Sequence, residues 1–99
     1  MLDFYIIMDD QPKPNNPVQE SLLYVGGLDD KTFENLKQKN IIDCRFYYYS
    51  DFRWGTNLIK QMQQTIKKNK LEMDNDIKAL TALFDLADQK KSGLIAYGE

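Results

Sequence analysis

The spacing of apolar residues changes character several times along the chain, and each change marks a predicted element. Leu2, Phe4, Ile6 and Met8 fall on one side of an extended segment and Tyr5 and Ile7 on the other, which predicts an interior strand. The stretch Asp9 to Pro17 holds three prolines and two asparagines and reads as a loop. Leu22-Leu23-Tyr24-Val25 predicts a second short strand, stopped by Gly26-Gly27. Asp29 or Asp30 then caps a short helix to about Lys39 that buries Phe33 and Leu36, with Asn40 suited to a left-handed exit. Ile41 to Tyr49, rich in β-branched and aromatic residues, predicts a third strand. From Thr56 to about Asn69, Leu58, Ile59, Met62 and Ile66 recur at helical spacing. A further helix follows Asp74 to about Lys91 and carries Ile77, Leu80, Leu83, Phe84 and Ala87. Ser92-Gly93 ends it, and Leu94 to Tyr97 predicts a last strand. The expected fold class is α+β: a single domain over 1–99, with a small mixed or antiparallel sheet of about four strands and two longer helices and one short helix on one face.

Composition narrows the chemistry more than it narrows the fold. The 99 residues are 42% hydrophobic and 28% charged, ordinary for a globular domain, but they include no histidine and one cysteine, Cys44. A Ser-His-Asp triad, a Cys-His pair, a His-ligated metal and a CxxC site are all excluded. With 13 Lys+Arg against 15 Asp+Glu, the basic surplus usual in nucleic-acid binding is missing. The run Lys67-Lys68-Asn69-Lys70 sits at a predicted helix end, where cations complement the helix dipole. No apolar run approaches the ~18 residues needed to span a bilayer. The N-terminal apolar segment lacks a basic flank and a small-residue cleavage site, so it reads as a strand and not a signal peptide. The expectation is a cytoplasmic protein with no cofactor, no nucleic-acid partner and no membrane partner.

Four features invite a functional reading. In Phe46-Tyr47-Tyr48-Tyr49-Ser50-Asp51-Phe52-Arg53-Trp54, six aromatic residues fall within nine positions. On a strand over 41–49, Ile42, Cys44, Phe46 and Tyr48 face the core, and Asp43, Arg45, Tyr47 and Tyr49 face solvent. That arrangement predicts a partner-binding surface of Tyr47, Tyr49, Asp51, Phe52, Arg53 and Trp54, because Tyr, Trp and Arg dominate binding hot spots. The competing reading has Phe52 and Trp54 plugging the edge of a small core. The C-terminal stretch from Asp88 to Glu99 is similar to an EF-hand loop, with Asp88, Ser92 and Glu99 at ligand positions 1, 5 and 12. Lys90 occupies position 3, where an oxygen ligand is required, so no metal is expected there. The pairs Asp9-Asp10 and Asp29-Asp30 offer carboxylates for a metal-dependent hydrolase, but both lie where turns and helix starts favour Asp. Gly26-Gly27 lacks the remaining residues of a phosphate loop, and Asp29 and Asp30 set negative charge beside it.

The segments Gly26-Gly27-Leu28-Asp29-Asp30-Lys31-Thr32-Phe33, Tyr48 through Trp54 and Ser92 through Gly98, about a quarter of the chain, carry a resemblance in kind. In layout the chain resembles small bacterial α+β proteins that serve as immunity partners of secreted toxins. The resemblance implies a cytoplasmic, non-enzymatic protein whose partner is a toxin and which acts by occluding that toxin's active site. The leading expectation is therefore a non-catalytic protein-binding module. A calcium-responsive regulator through Asp88, Ser92 and Glu99, and a small hydrolase, are the alternatives.

Overall fold

The computed structural model describes residues 1–13 and 22–98. Its elements are β1 (Leu2–Ile7), β2 (Tyr24–Leu28), α1 (Asp30–Gln38), β3 (Phe52–Trp54), α2 (Thr56–Lys68), α3 (Asn75–Gln89) and β4 (Gly93–Tyr97). The four strands form one sheet in the order β2-β1-β4-β3, and every neighbouring pair is antiparallel. The expected α+β class, with the helices layered on a four-stranded sheet, is the fold observed.

Strand alternation decides what each face carries. Leu2, Phe4, Leu94, Ala96 and Trp54 point to the helices and are at most 1% exposed. They meet Phe33 and Leu36 from α1, Ile59 and Met62 from α2, and Leu80 and Phe84 from α3 in one continuous core. Residues of opposite parity, Asp3, Tyr5, Arg53, Ile95 and Tyr97, point away from the helices. A register shift between Phe4 and Tyr5 brings Tyr24 opposite Tyr5 on this second face.

Two of the helices start on their own side chains. Asp29 accepts a hydrogen bond from the Thr32 amide at 2.7 Å and caps α1, and Asp74 accepts from the Asp76 and Ile77 amides and caps α3. Gly55 stands at the N-cap of α2 and has no side chain to offer.

The strand expected over Ile41 to Tyr49 does not form; the stretch is a series of turns. Asn40 takes a left-handed φ of 61°, and the Ile41 and Ile42 amides fold back onto the Leu36 carbonyl. Asp43 then draws in the Phe46 and Arg45 amides, and Tyr47 the Ser50 amide. These local bonds satisfy the backbone without a ladder, so β-branched and aromatic residues serve here as anchors into the core. The second strand also departs from its predicted end, running through both glycines to Leu28. Gly26 adopts φ +148°, and a side chain there would stand 3.0 Å from the Leu83 methyl, so its absence lets α3 lie close against the strand.

Candidate functional site

The aromatic block splits into a buried half and an exposed half. Trp54, at the end of β3, is fully buried against Phe4, Phe52 and Phe84, with ring centroids 5.2, 5.3 and 6.1 Å away. Its expected place on a surface loop is corrected: β3 is a sheet strand, and its alternation turns Trp54 toward the helices. Phe52 follows the same parity and packs on Phe33, Phe46 and Phe4 while remaining half-buried. Arg53 points to the other face, where its guanidinium donates to the Gln11 carbonyl at 2.8 Å and the Met8 carbonyl at 2.7 Å. It clamps the segment after β1 across the sheet, which gives it a structural task.

Tyr47 and Tyr49 lie outside, at 66% and 68% exposure, while Tyr48 between them is buried against Phe33. The expected alternation of burial therefore appears in part, produced by turns in place of a strand; Cys44, expected in the core, is exposed. Burial is the main cause that pushes the Tyr48 hydroxyl above its ordinary range. The Lys37 ammonium stands 5.3 Å from the centre of the Tyr47 ring, a cation–π contact that holds this ring against α1. Tyr49 meets Tyr48 edge-to-face at 4.9 Å. Asp51, also exposed, accepts from the Gly98 amide at 3.1 Å and lies 4.0 Å from the Lys13 ammonium. Gly98 fits against the backbone of Tyr48, Tyr49 and Ser50, where any side chain would collide. The loop is thus pinned at its base and displays two tyrosines and a carboxylate.

The acidic pairs serve separate elements. Asp9 accepts from the Thr56 amide at 3.0 Å and from the Thr56 hydroxyl, which holds its carboxyl below the usual carboxylate range. It supplies to α2 the cap that Gly55 cannot. Asp29 is likewise held low by its bond from the Thr32 amide at the start of α1. Asp10 and Asp30 are exposed. A third cluster joins the end of α1 to the start of α3: the Lys39 ammonium donates to Asp74 at 2.7 Å and Asp76 at 3.1 Å, and the Asn35 amide also reaches Asp76. The bond to Asp74 raises the Lys39 pKa and lowers that of Asp74, a matched pair of shifts.

In the C-terminal stretch, Gly93–Tyr97 is an inner strand, paired on both sides. Asp88 accepts from the Gln63 side-chain amide at 2.9 Å, and the buried Ser92 hydroxyl donates to the Ala87 carbonyl. Both residues line a cleft of about 350 Å³ beside Lys60 and Lys91, so cations stand where a calcium ion needs oxygens. Glu99 lies outside the described residues. Among the described residues no group of three Cys, Asp or Glu converges on a common point. A larger groove, about 430 Å³, lies between α2 and α3 over Ile66 and Ala82 and is rimmed by Lys67, Lys78, Glu72 and Asp85.

A cluster that the sequence reading missed lies on the sheet face away from the helices. Tyr5 stands between Tyr24 and Tyr97, with ring centroids at 5.4 and 5.8 Å and steep interplanar angles of 64° and 80°. Asp3 shares this face, and its carboxylate accepts from the Tyr24 hydroxyl at 3.4 Å. The signal was present in the parity of β1, where Asp3 alternates in phase with Tyr5. A charge in that phase argues for an open face over a second covered one.

No helix among the described residues is long and apolar enough to cross a membrane. Comparison of the chain with protein-family models, with curated proteins and with solved structures finds no match.

Proposed function

We propose that this protein is a non-catalytic binding module that docks a protein partner through Tyr47, Tyr49 and Asp51. The observation that carries this reading is the pair of tyrosines held two-thirds exposed on a loop whose neighbours, Tyr48, Phe52 and Trp54, are anchored in or against the core. Rings presented on a pinned loop lose little conformational freedom on binding, which is how tyrosine contributes affinity at interfaces. Phe52 and Trp54 support the loop from beneath, and Arg53 fastens the segment beside it. The specific form that fits the resemblance is a cytoplasmic immunity protein that covers a toxin's active site. Asp51, on the same loop, would steer a basic partner surface toward the tyrosines.

The test is affinity capture from the native host with the wild-type chain and with Tyr47→Ser/Tyr49→Ser, followed by titration of the recovered protein. A loss of about 2 kcal/mol or more, roughly thirtyfold in Kd, is expected with an unchanged melting temperature, since both side chains are exposed. Equal affinity of the two forms for the same partner would remove the loop from the interface.

A further inference from the structure

We propose that the sheet face formed by Tyr5, Tyr24 and Tyr97 around Asp3 binds an arginine side chain presented by a protein partner. The reading as a protein-binding module is assumed in one respect only, that the partner is a protein; the surface is a different one.

The face is built by strand register. Tyr24, Tyr5, Ile95 and Arg53 form one row across the sheet, and Gly27, Asp3 and Tyr97 form the next. At the β3 side of the face, Arg53 and the segment it holds close over the sheet, and Ile95 is fully buried. At the β1–β2 side the tyrosines are only partly covered, and Tyr24 is 51% exposed. Tyr5 meets Tyr24 and Tyr97 edge-to-face and not in parallel stacks, and the face of a tyrosine ring carries the negative end of its quadrupole.

Asp3 is the unexplained member. It is half-buried beside the Tyr24 hydroxyl, yet among the described residues it makes no ion pair. Residues 14–21 and 99 contain no lysine or arginine, so the chain outside the described residues has no basic side chain to offer it. Arg53 is engaged by the Met8 and Gln11 carbonyls, Lys13 stands beside Asp51, and Arg45 lies over the Phe46 ring at 4.8 Å. The Tyr24 hydroxyl bonds to one carboxylate oxygen and leaves the other free of any bond among the described residues. Burial and the nearby Asp3 charge raise the Tyr24 pKa, which keeps the hydroxyl protonated as a donor.

A carboxylate that shares a sheet face with three tyrosine rings and accepts from one of their hydroxyls favours a planar cation. Guanidinium offers a donor fork to the carboxylate and a flat face to the rings, and it sheds water more readily than an ammonium group. Phosphate groups would be repelled by Asp3, and a purely apolar partner would strip water from its carboxylate without replacing the lost hydrogen bonds. Gly27, opposite Asp3, adds no side chain of its own; the Met1 thioether, flexible and 60% exposed, lies over it.

The experiment is an amide NMR titration of the full chain with a capped tri-arginine peptide, repeated with tri-lysine and with the neutral isostere tri-citrulline. Saturable shifts confined to Asp3, Tyr5, Tyr24, Gly27 and Tyr97 are expected, with binding about tenfold weaker for Asp3→Asn and for tri-citrulline, and weaker for tri-lysine than for tri-arginine. Tyr24→Leu, at the sheet edge, gives a second variant expected to lose binding should Asp3→Asn fold poorly. Shifts scattered over the acidic surface, shifts that do not saturate, or equal binding by Asp3→Asn would overturn the proposal. Tyr47→Ser/Tyr49→Ser should bind tri-arginine as the wild type does, so failure of the loop as an interface and failure of this face are separate results.

Discussion

On the helix side of the sheet, Phe4, Trp54, Leu94 and Ala96 meet a second layer and are buried to within 1%; on the other side, Tyr5 packs edge-to-face on Tyr24 and Tyr97, and Tyr24 stays half exposed. The same alternation of residues along the same strands yields both faces. Aliphatic and indole side chains require a covering layer, because their burial is the main source of stability. Tyrosine tolerates the lack of one: ring edges pack across strands while the hydroxyls stay near water. The contrast explains how a sheet with helices on one side can leave part of its other side open.

Substitutions at three positions sharpen the contrast, from the largest effect to the smallest. Trp54→Ala removes the largest buried side chain and is expected to cost ~3–5 kcal/mol in denaturant unfolding. Trp54→Phe should cost less, roughly half as much, because it also removes a buried indole N–H that has no hydrogen-bond partner among the described residues. A loss under about 1 kcal/mol for Trp54→Ala would mean that this ring is not a core element after all. Asp9→Ala removes the cap of α2 and loosens the segment over the far half of the open face, with an expected cost of about 1 kcal/mol and faster amide exchange in the first turn of α2. The Asp9 carboxyl is held low when folded, so its contribution is complete above the unfolded value of about 3.9 and disappears as pH falls through the folded value. Acid unfolding below about pH 4 should accordingly be shallower for Asp9→Ala than for the wild type. Tyr24→Ser, on the uncovered face, should cost only about 0.5 kcal/mol, the scale of one cross-strand pair. A cost equal to that of a core truncation would show that the open face is as tightly built as the covered one.

Much of the fold was readable from period and caps. Asp29 and Asp74 announce α1 and α3 because their carboxylates bond amides two or three residues ahead, a relation contained in the local sequence. The stripe of Ile59, Met62 and Ile66 likewise announces α2. The stretch 41–49 misleads because composition reports a preference for packed, extended surroundings, whereas Asn40 and Asp43 commit the backbone to turns. Of the six residues expected to bind a partner, Tyr47, Tyr49 and Asp51 are exposed, while Phe52 and Arg53 are half-buried and Trp54 fully so. Telling these apart required knowing that β3 begins at Phe52, since that sets which parity faces the helices. The tyrosine face depends on strand order, β2 beside β1 beside β4, which no local pattern states.

The cap on α2 also bears on the order in which the chain can assemble. Helices α1 and α3 each carry a capping carboxylate immediately before their first residue, so their first turns can be completed while the rest of the chain is still searching. The first turn of α2 waits for Asp9, 47 residues upstream, and closing a loop of that length has an entropic cost that only later contacts offset. The start of α2 should therefore be secured late, when β1 and the turn after it have reached the sheet. A fragment beginning at β3 would hold the sequence of α2 without the group that completes its start.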